Sequence, residues 1–531
     1  MSCHNDVCAF LIKKDKPIVI NEIYDVAVNN RKVYLDGDLL KWLKYGRSLL
    51  EKKLDKNEII YGVNTGFGGN ANMIVPAEII AEHQNNLLRF LSAGTGPALP
   101  PEHVRAAQFL VLIAVSRGWS SICPETAQIL AEHLNQGIIP IVPRYGSVGA
   151  SGDLIPLTYI ARALCGEGRV WYGGAELTAL EAIEKANLLP IKLKAKEGLA
   201  LINGTRMMTG ISAIAVVRLE KTLKAGVAGI AMAIEALQAS DEHFDARIQE
   251  IKKHPGQKAI AATLRQFLKG SQQKSLLSKL KQQLNVQSNN NVVTRLDSVV
   301  QEVYSIRCAP QILGIIPESL VYTKAIVERE AYSANDNPLI DPNTGDVLNG
   351  GNFMGHYIAR TMDALKLDIA LLANHLHSIV ALMMDERFSH GLANSLSPVP
   401  GIYQGMKGIQ LSQTALVAAI RRECSPSGIH TMPTEQYNQD IVSLGTHAAQ
   451  DVVDMEIKLR DVVSITLITA AQGLTLRDNL PAIAPKVTEF YHSVRRFSPV
   501  LDKDRPLDED IIRLSKAIIY DELPLPEIAL D

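Results

Sequence analysis

Proline is missing from two long stretches of this chain, and that absence restricts the fold more than any other feature. There is none from 434 to 480, and between 203 and 300 the only one is Pro255. A proline inside a helix costs about 3 kcal/mol, so such stretches read as helices where apolar residues recur at helical spacing. Ile441, Leu444, Ala448, Val452, Met455, Leu459, Val462 and Ile465 keep that spacing, and residues 361–384 are as densely apolar. The expected fold class is mainly α, with long helices packed as a central bundle over residues 201–531. Residues 21–200 read differently: short helical patterns alternate with Gly- and Pro-rich turns at 61–70, 92–101 and 140–156. This is expected to be a loop-rich catalytic domain without a large sheet, because period-two runs do not cluster there. Residues 1–20 read as a weakly ordered tail. The Gln-, Lys- and Ser-containing stretch 272–291 reads as a mobile excursion.

Composition excludes several functions. The chain has 531 residues, enough to bury a large core without disulfides. Lys plus Arg is 54 against 56 for Asp plus Glu, so no broad basic surface offers itself to nucleic acid. Six scattered cysteines with no CxxC pair suggest reduced thiols in a cytoplasmic protein, with no disulfide frame and no metal site. The start of the chain lacks a secretory pattern, and the apolar runs 109–115 and 225–237 fall short of the ~20 residues that cross a bilayer. No membrane partner is expected. No Gly-Lys pair exists for a phosphate loop, and Gly66-Phe67-Gly68-Gly69 lacks the third spaced glycine of a dinucleotide site. His375 and His377, two apart on a helical pattern, point different ways and read as packed or surface histidines.

One turn stands out: Tyr145-Gly146-Ser147-Val148-Gly149-Ala150-Ser151-Gly152-Asp153-Leu154. Its plain reading is a flexible turn before a helix near Leu154, with Asp153 as N-cap and Pro156 in the first turn. Taken alone, that reading wins. A chemical reading competes with it. Gly152 lacks a Cβ, so its amide nitrogen can be pressed against the Ala150 carbonyl. Ring closure with loss of water would make a methylidene-imidazolone (MIO), an electrophile that no ordinary side chain supplies.

The chain resembles the aromatic amino-acid ammonia-lyases and aminomutases, whose G-x-[GS]-ASGD-L-x-PL motif is matched by Gly149-Ala150-Ser151-Gly152-Asp153-Leu154-Ile155-Pro156-Leu157. Six more blocks follow in family order. They are Tyr61-Gly62-Val63-Asn64-Thr65-Gly66-Phe67-Gly68, the KEGLALINGT run 196–205, the run 301–311, Asn335-Asp336-Asn337-Pro338-Leu339, Gly350-Gly351-Asn352-Phe353 and the run 435–440. The resemblance covers nearly the whole chain. It implies a fumarase/aspartase-like helical fold, MIO built from Ala150, Ser151 and Gly152 with no external cofactor, and a homotetramer whose active sites are shared between chains.

It also implies roles. Adding the substrate amine to the MIO methylene would make ammonia a leaving group, and Tyr61 would be the base that takes the β-proton. A free phenol titrates at about 10, so such a base needs electropositive surroundings. Glycines 62, 66 and 68 would suit a pliable lid; without the resemblance, Tyr61 is a loop aromatic. Arg307 would clamp the substrate carboxylate with its planar fork, where the plain alternative is a structural salt bridge. Asn203, Tyr304 and Phe353 match residues around the MIO that assist its formation and polarise its carbonyl. Gln301 and Asn335 match polar positions on the substrate or ring side. Glu435 and Lys407 match positions near the amine and the far side of the pocket, and otherwise read as solvated helix ions.

Phe90-Leu91 resembles the selectivity pair of phenylalanine-specific members, where tyrosine-specific relatives place a histidine first. Phe90, Leu91, Leu154, Leu199 and Leu411 would surround an apolar ring. Gln439 stands where histidine-specific relatives have a glutamate. The implied reaction is L-phenylalanine to trans-cinnamate, as in bacterial members that feed secondary metabolism such as stilbene formation. His356 departs from the glutamine of bacterial relatives, and the shielding domain of plant members is absent. Rival readings are an aminomutase giving β-phenylalanine, a histidine or tyrosine lyase, and a non-catalytic helical scaffold; product analysis on a panel of amino acids separates them.

Overall fold

Long helices carry the chain in a computed structural model that describes residues 9–272, 277, 300–478 and 480–530. The expected tail falls partly, and the excursion at 272–291 almost wholly, outside the described residues. Four helices matter in the first part: α1 (Ile80–Phe90), α2 (Pro101–Ser116), α3 (Leu154–Leu164) and α4 (Glu197–Ile202). Five follow: α5 (Arg206–Ala236), α6 (Ile315–Ala331), α7 (His356–Met383), α8 (Lys407–Arg422) and α9 (Gly445–Arg477). Among the described residues no sheet exceeds three strands. The three-stranded one turns through Gly173 and Gly174, both at positive φ, as a tight hairpin turn demands.

Proline absence predicts the long helices well and their ends less well. Helix α9 lies inside the proline-free stretch, but residues 434–444 are not helical. Glu435, Gln436, Tyr437 and Leu444 there have positive φ, which L-residues adopt at a cost and which breaks a right-handed helix. The 203–300 stretch likewise stops being α5 at Ala236, followed by Gln238 at positive φ.

The chain divides into two compact units. The first comprises residues 1–217, 323–363 and 426–452. Its core includes α2, buried over almost its whole length. Arg105 of that helix donates to the carbonyls of Val26 (2.9 Å), Ala27 (3.3 Å) and Leu134 (3.1 Å), so its charge caps two other helix ends. Burial pushes its guanidinium down to about 10.

The second unit comprises residues 218–322, 364–425 and 453–531, and here the helices bundle. Small residues set their spacing: Gly226 of α5 faces Leu372 and Leu376 of α7, and Gly229 faces Thr466 and Leu467 of α9. Buried polar groups pair across the helices. Thr222 Oγ1 donates to Glu456 Oε1 at 2.7 Å, and Gln413 Nε2 donates to Thr466 Oγ1 at 3.0 Å. His375 is packed, its pKa pushed down to about 4 by burial, and His377 Nδ1 meets Gln413 Oε1 at 3.2 Å. Among the described residues one helix, α7, is long and apolar enough to cross a membrane by length and composition alone, which the apolar runs 109–115 and 225–237 are not. Most of its apolar window is buried inside the protein, as in a core helix.

Candidate active site

The Ala-Ser-Gly turn sits in the first unit, held from three directions. Gly152 has φ +70, and a Cβ there would overlap the backbone of Gly204. The two glycines form a parallel bridge, and Asp153 N–H donates to Gly204 O at 2.8 Å. Gly149 also has positive φ; its carbonyl accepts from Ser443 Oγ at 2.8 Å, and Leu444 N–H donates to Val148 O at 3.0 Å. Asn203 Nδ2 donates to the Ser151 carbonyl at 2.9 Å, and Gln439 Nε2 to Ser151 Oγ at 3.2 Å. Gly152 packs against Gly204 so closely that only glycine fits, the residue type that the ring closure read from the sequence also calls for.

Asp153 occupies the N-cap position of α3 but makes no capping bond. Its carboxylate turns into the protein, where it accepts from Ser147 Oγ (2.7 Å), Met208 N–H (2.9 Å) and Thr446 Oγ1. Burial raises its pKa above the usual carboxylate range, against the pull of those bonds. Arg206 beneath is also fully buried; its guanidinium is pushed down to about 10, while Asp336, Asp153 and Glu330 pull it back up.

The turn forms one wall of a cavity of about 520 Å³, a size suited to a small ligand. Tyr61, Phe90, Leu91, Ala150, Ser151, Gly152, Leu154, Leu199, Asn203, Phe353, Glu435 and Gln439 all line it, as residues singled out from the sequence. Tyr61 Oη accepts from Gly68 N–H at 3.0 Å. The loop around it is well bonded: Gly66 N–H donates to Met73 O at 2.9 Å and Val75 N–H to Asn64 O at 3.0 Å. Phe67 stacks on His83 at 4.3 Å, and Gly68 leaves no room for a Cβ beside the Glu435 carboxylate.

Six expected residues are absent from that lining. Asn335 belongs to the same unit, but its amide donates to Thr205 Oγ1 (2.9 Å) and Ser333 Oγ (3.0 Å), and Asn337 lines the cavity instead. Gln301, Tyr304, Arg307, Lys407 and Leu411 belong to the second unit. There Arg307 lies over the Tyr304 ring at 4.6 Å, Lys407 Nζ donates to Gln404 Oε1 at 2.6 Å, and Tyr304 and Leu411 are each 68% exposed. His356 is exposed at the start of α7, also outside the lining.

The sequence reading missed Leu87, Ile441, Asn337 and Gln84. Leu87 lies three and four residues before Phe90 and Leu91, the spacing that puts all three on one helix face. Gln84 had no such signal. Wholly buried, it donates to Gly62 O at 3.0 Å and accepts from Leu199 N–H at 3.2 Å, joining the Tyr61 loop to α4.

A model of the family described as aromatic amino acid lyase matches residues 18–496. A hal-like protein of Dictyostelium discoideum is 50% identical over 519 residues, 97% of each chain. Histidine ammonia-lyase of Geobacillus thermodenitrificans is 36% identical, covering 93% of this chain and 94% of that protein. Among solved structures, a phenylalanine aminomutase of Pantoea agglomerans superposes with a TM-score of 0.93 at 31% identity, covering 96% of this chain and 99% of the other.

Proposed function

The chain belongs to the aromatic amino acid lyase family of carbon–nitrogen lyases, whose MIO group is made here from Ala150, Ser151 and Gly152, and on that premise we propose that it converts L-phenylalanine to trans-cinnamate and ammonia. The observation that carries the reading is a cluster of apolar side chains beside the turn, in a cavity whose carboxylates come from the loop at 435–440. Leu87, Phe90, Leu91, Leu154 and Leu199 line one cavity with Ser151. The group next to Ser151 Oγ is the Gln439 amide, which carries no charge. A phenyl ring gains by burial among such side chains. A phenol hydroxyl left unpaired there would cost about 1–3 kcal/mol.

The MIO supplies an electrophile for the substrate amine. The chain's own residues supply the rest. Asn203, donating to Ser151 O, polarises that carbonyl. Tyr61 lines the same cavity and takes the β-proton as general base, its ring held by the Gly68 N–H bond. Glu435 faces the amine, and Phe353 closes the wall near the turn. Arg307, Tyr304, Gln301, Lys407 and Leu411 act from neighbouring copies in a homotetramer, Arg307 as the carboxylate clamp. Exposed apolar side chains on the second unit's helices, such as Leu367 and Leu411, support an assembly that covers them.

Histidine as substrate is the second reading, favoured by the 36% identical histidine ammonia-lyase and by the Glu435 carboxylate, which could pair with an imidazolium. The test is an absorbance panel of phenylalanine, tyrosine and histidine, following the conjugated acrylate, with chromatography of the products. Phenylalanine should give the highest kcat/KM, with cinnamate as main product. Higher kcat/KM on histidine, or β-phenylalanine as main product, would overturn the reading.

A further inference from the structure

A lysine–aspartate pair lies wholly buried behind the turn, and nothing proposed above uses it. Lys196 Nζ is 2.6 Å from Asp336 Oδ2, with both side chains at zero exposure. Two charges out of water are tolerated only where their remaining donors and acceptors are bonded. Here Ser120 bonds both partners: its Oγ donates to Asp336 Oδ1 at 3.0 Å, and its carbonyl accepts from Lys196 Nζ at 3.1 Å. Burial lowers the Lys196 pKa, and the Asp336 charge opposes that shift. Lys196 also has φ +71, a strained conformation for a side-chain-bearing residue.

The pair clamps two segments that meet at the ring-forming turn. Lys196 immediately precedes α4, and Asn203 immediately follows it as the C-cap. Asp336 immediately precedes Asn337, whose N–H donates to Asn203 Oδ1 at 2.7 Å. With its oxygen so engaged, Asn203 can present only its Nδ2 to the Ser151 carbonyl, 2.9 Å away. Arg206 Nη1, donating to Asn203 O, holds the same residue from its backbone side.

Maturation makes demands on that contact. Gly152 N bonds to the Ala150 carbonyl carbon, and the displaced oxygen leaves as water with the Gly152 and Ser151 amide hydrogens. Ser151 then loses its Cα–H proton and its Oγ hydroxyl as a second water. As the Cα proton leaves, negative charge builds on Ser151 O, where a fixed N–H donor is most effective. We propose that the Lys196–Asp336 pair is the positioning device of this maturation, holding Asn203 so that its amide meets the Ser151 carbonyl as charge develops there. The role is independent of which amino acid the finished enzyme consumes.

The test follows full-length chain made by cell-free synthesis, using timed mass spectrometry of the peptide holding 150–152. Asp336→Asn, which keeps shape and removes charge, should slow loss of the two waters about tenfold while circular dichroism retains the helix content. Asn203→Ala should slow it too, and the double variant should be no slower than Asn203→Ala alone, because Asp336 acts through Asn203. Wild-type kinetics in Asp336→Asn, or additive slowing in the double variant, would overturn the proposal. If Asp336→Asn does not fold, Ser120→Ala serves: about threefold slowing that vanishes in the Asn203→Ala background is expected, and wild-type kinetics would overturn it.

Discussion

Phe90 carries the substrate assignment at the residue scale. It lines the cavity and is 63% exposed within one chain, so its ring has one face free for a ligand. Phe90→His should raise the tyrosine-to-phenylalanine ratio of kcat/KM about tenfold, equivalent to about 1.4 kcal/mol. A new imidazole gives a phenol hydroxyl a partner and gives a phenyl ring none. An unchanged ratio would show that this side chain does not meet the substrate ring. A second residue tests the electrostatics of the interior. His133 is fully buried, neither ring nitrogen has a hydrogen-bond partner among the described residues, and burial pushes its pKa down to about 4. The unfolded chain, titrating near 6.5, binds the proton more readily, so His133 costs stability as pH falls from about 6.5 to 4. His133→Leu should therefore lose about 3 kcal/mol less than wild type between pH 7 and 4, read as a smaller fall in urea midpoint. Equal falls would contradict the burial argument.

At the scale of elements, the loop at 434–440 meets the loop at 61–70 without spare space. Gly68 has φ +54 and sits against the Glu435 carboxylate, itself in a left-handed stretch. Gly68→Ala should lower kcat/KM about tenfold, near 1.4 kcal/mol, by displacing Glu435. Unchanged kinetics would show that the carboxylate can move without consequence. These elements also mark what the sequence makes legible. Helices α5, α7 and α9 announce themselves because proline is excluded and apolar residues repeat over many turns. The Ala150-Ser151-Gly152 turn, which taken alone reads as a flexible turn, becomes legible through the motif and the ordered blocks around it. The left-handed run Glu435–Gln436–Tyr437 has no such sign, since none of the three is glycine. Gln84 and Asp336 act through partners more than 100 residues away in the chain, Leu199 and Lys196 respectively, and no local pattern encodes such pairings.

At the scale of the whole molecule, the cavity holds Tyr61, Ser151 and Asn203 together, whereas Arg307 and Lys407 belong to the other compact unit. Assembly into a tetramer is expected to supply such residues, so light scattering should find activity only in the tetrameric fraction. A fully active monomer would contradict that. Whether the chain makes its own electrophile is read from the mass of the peptide containing residues 150–152 in purified, active protein. A peptide lighter by two waters is expected, and in Ser151→Ala an unmodified peptide together with no turnover. A peptide of unmodified mass from protein that releases ammonia would contradict it.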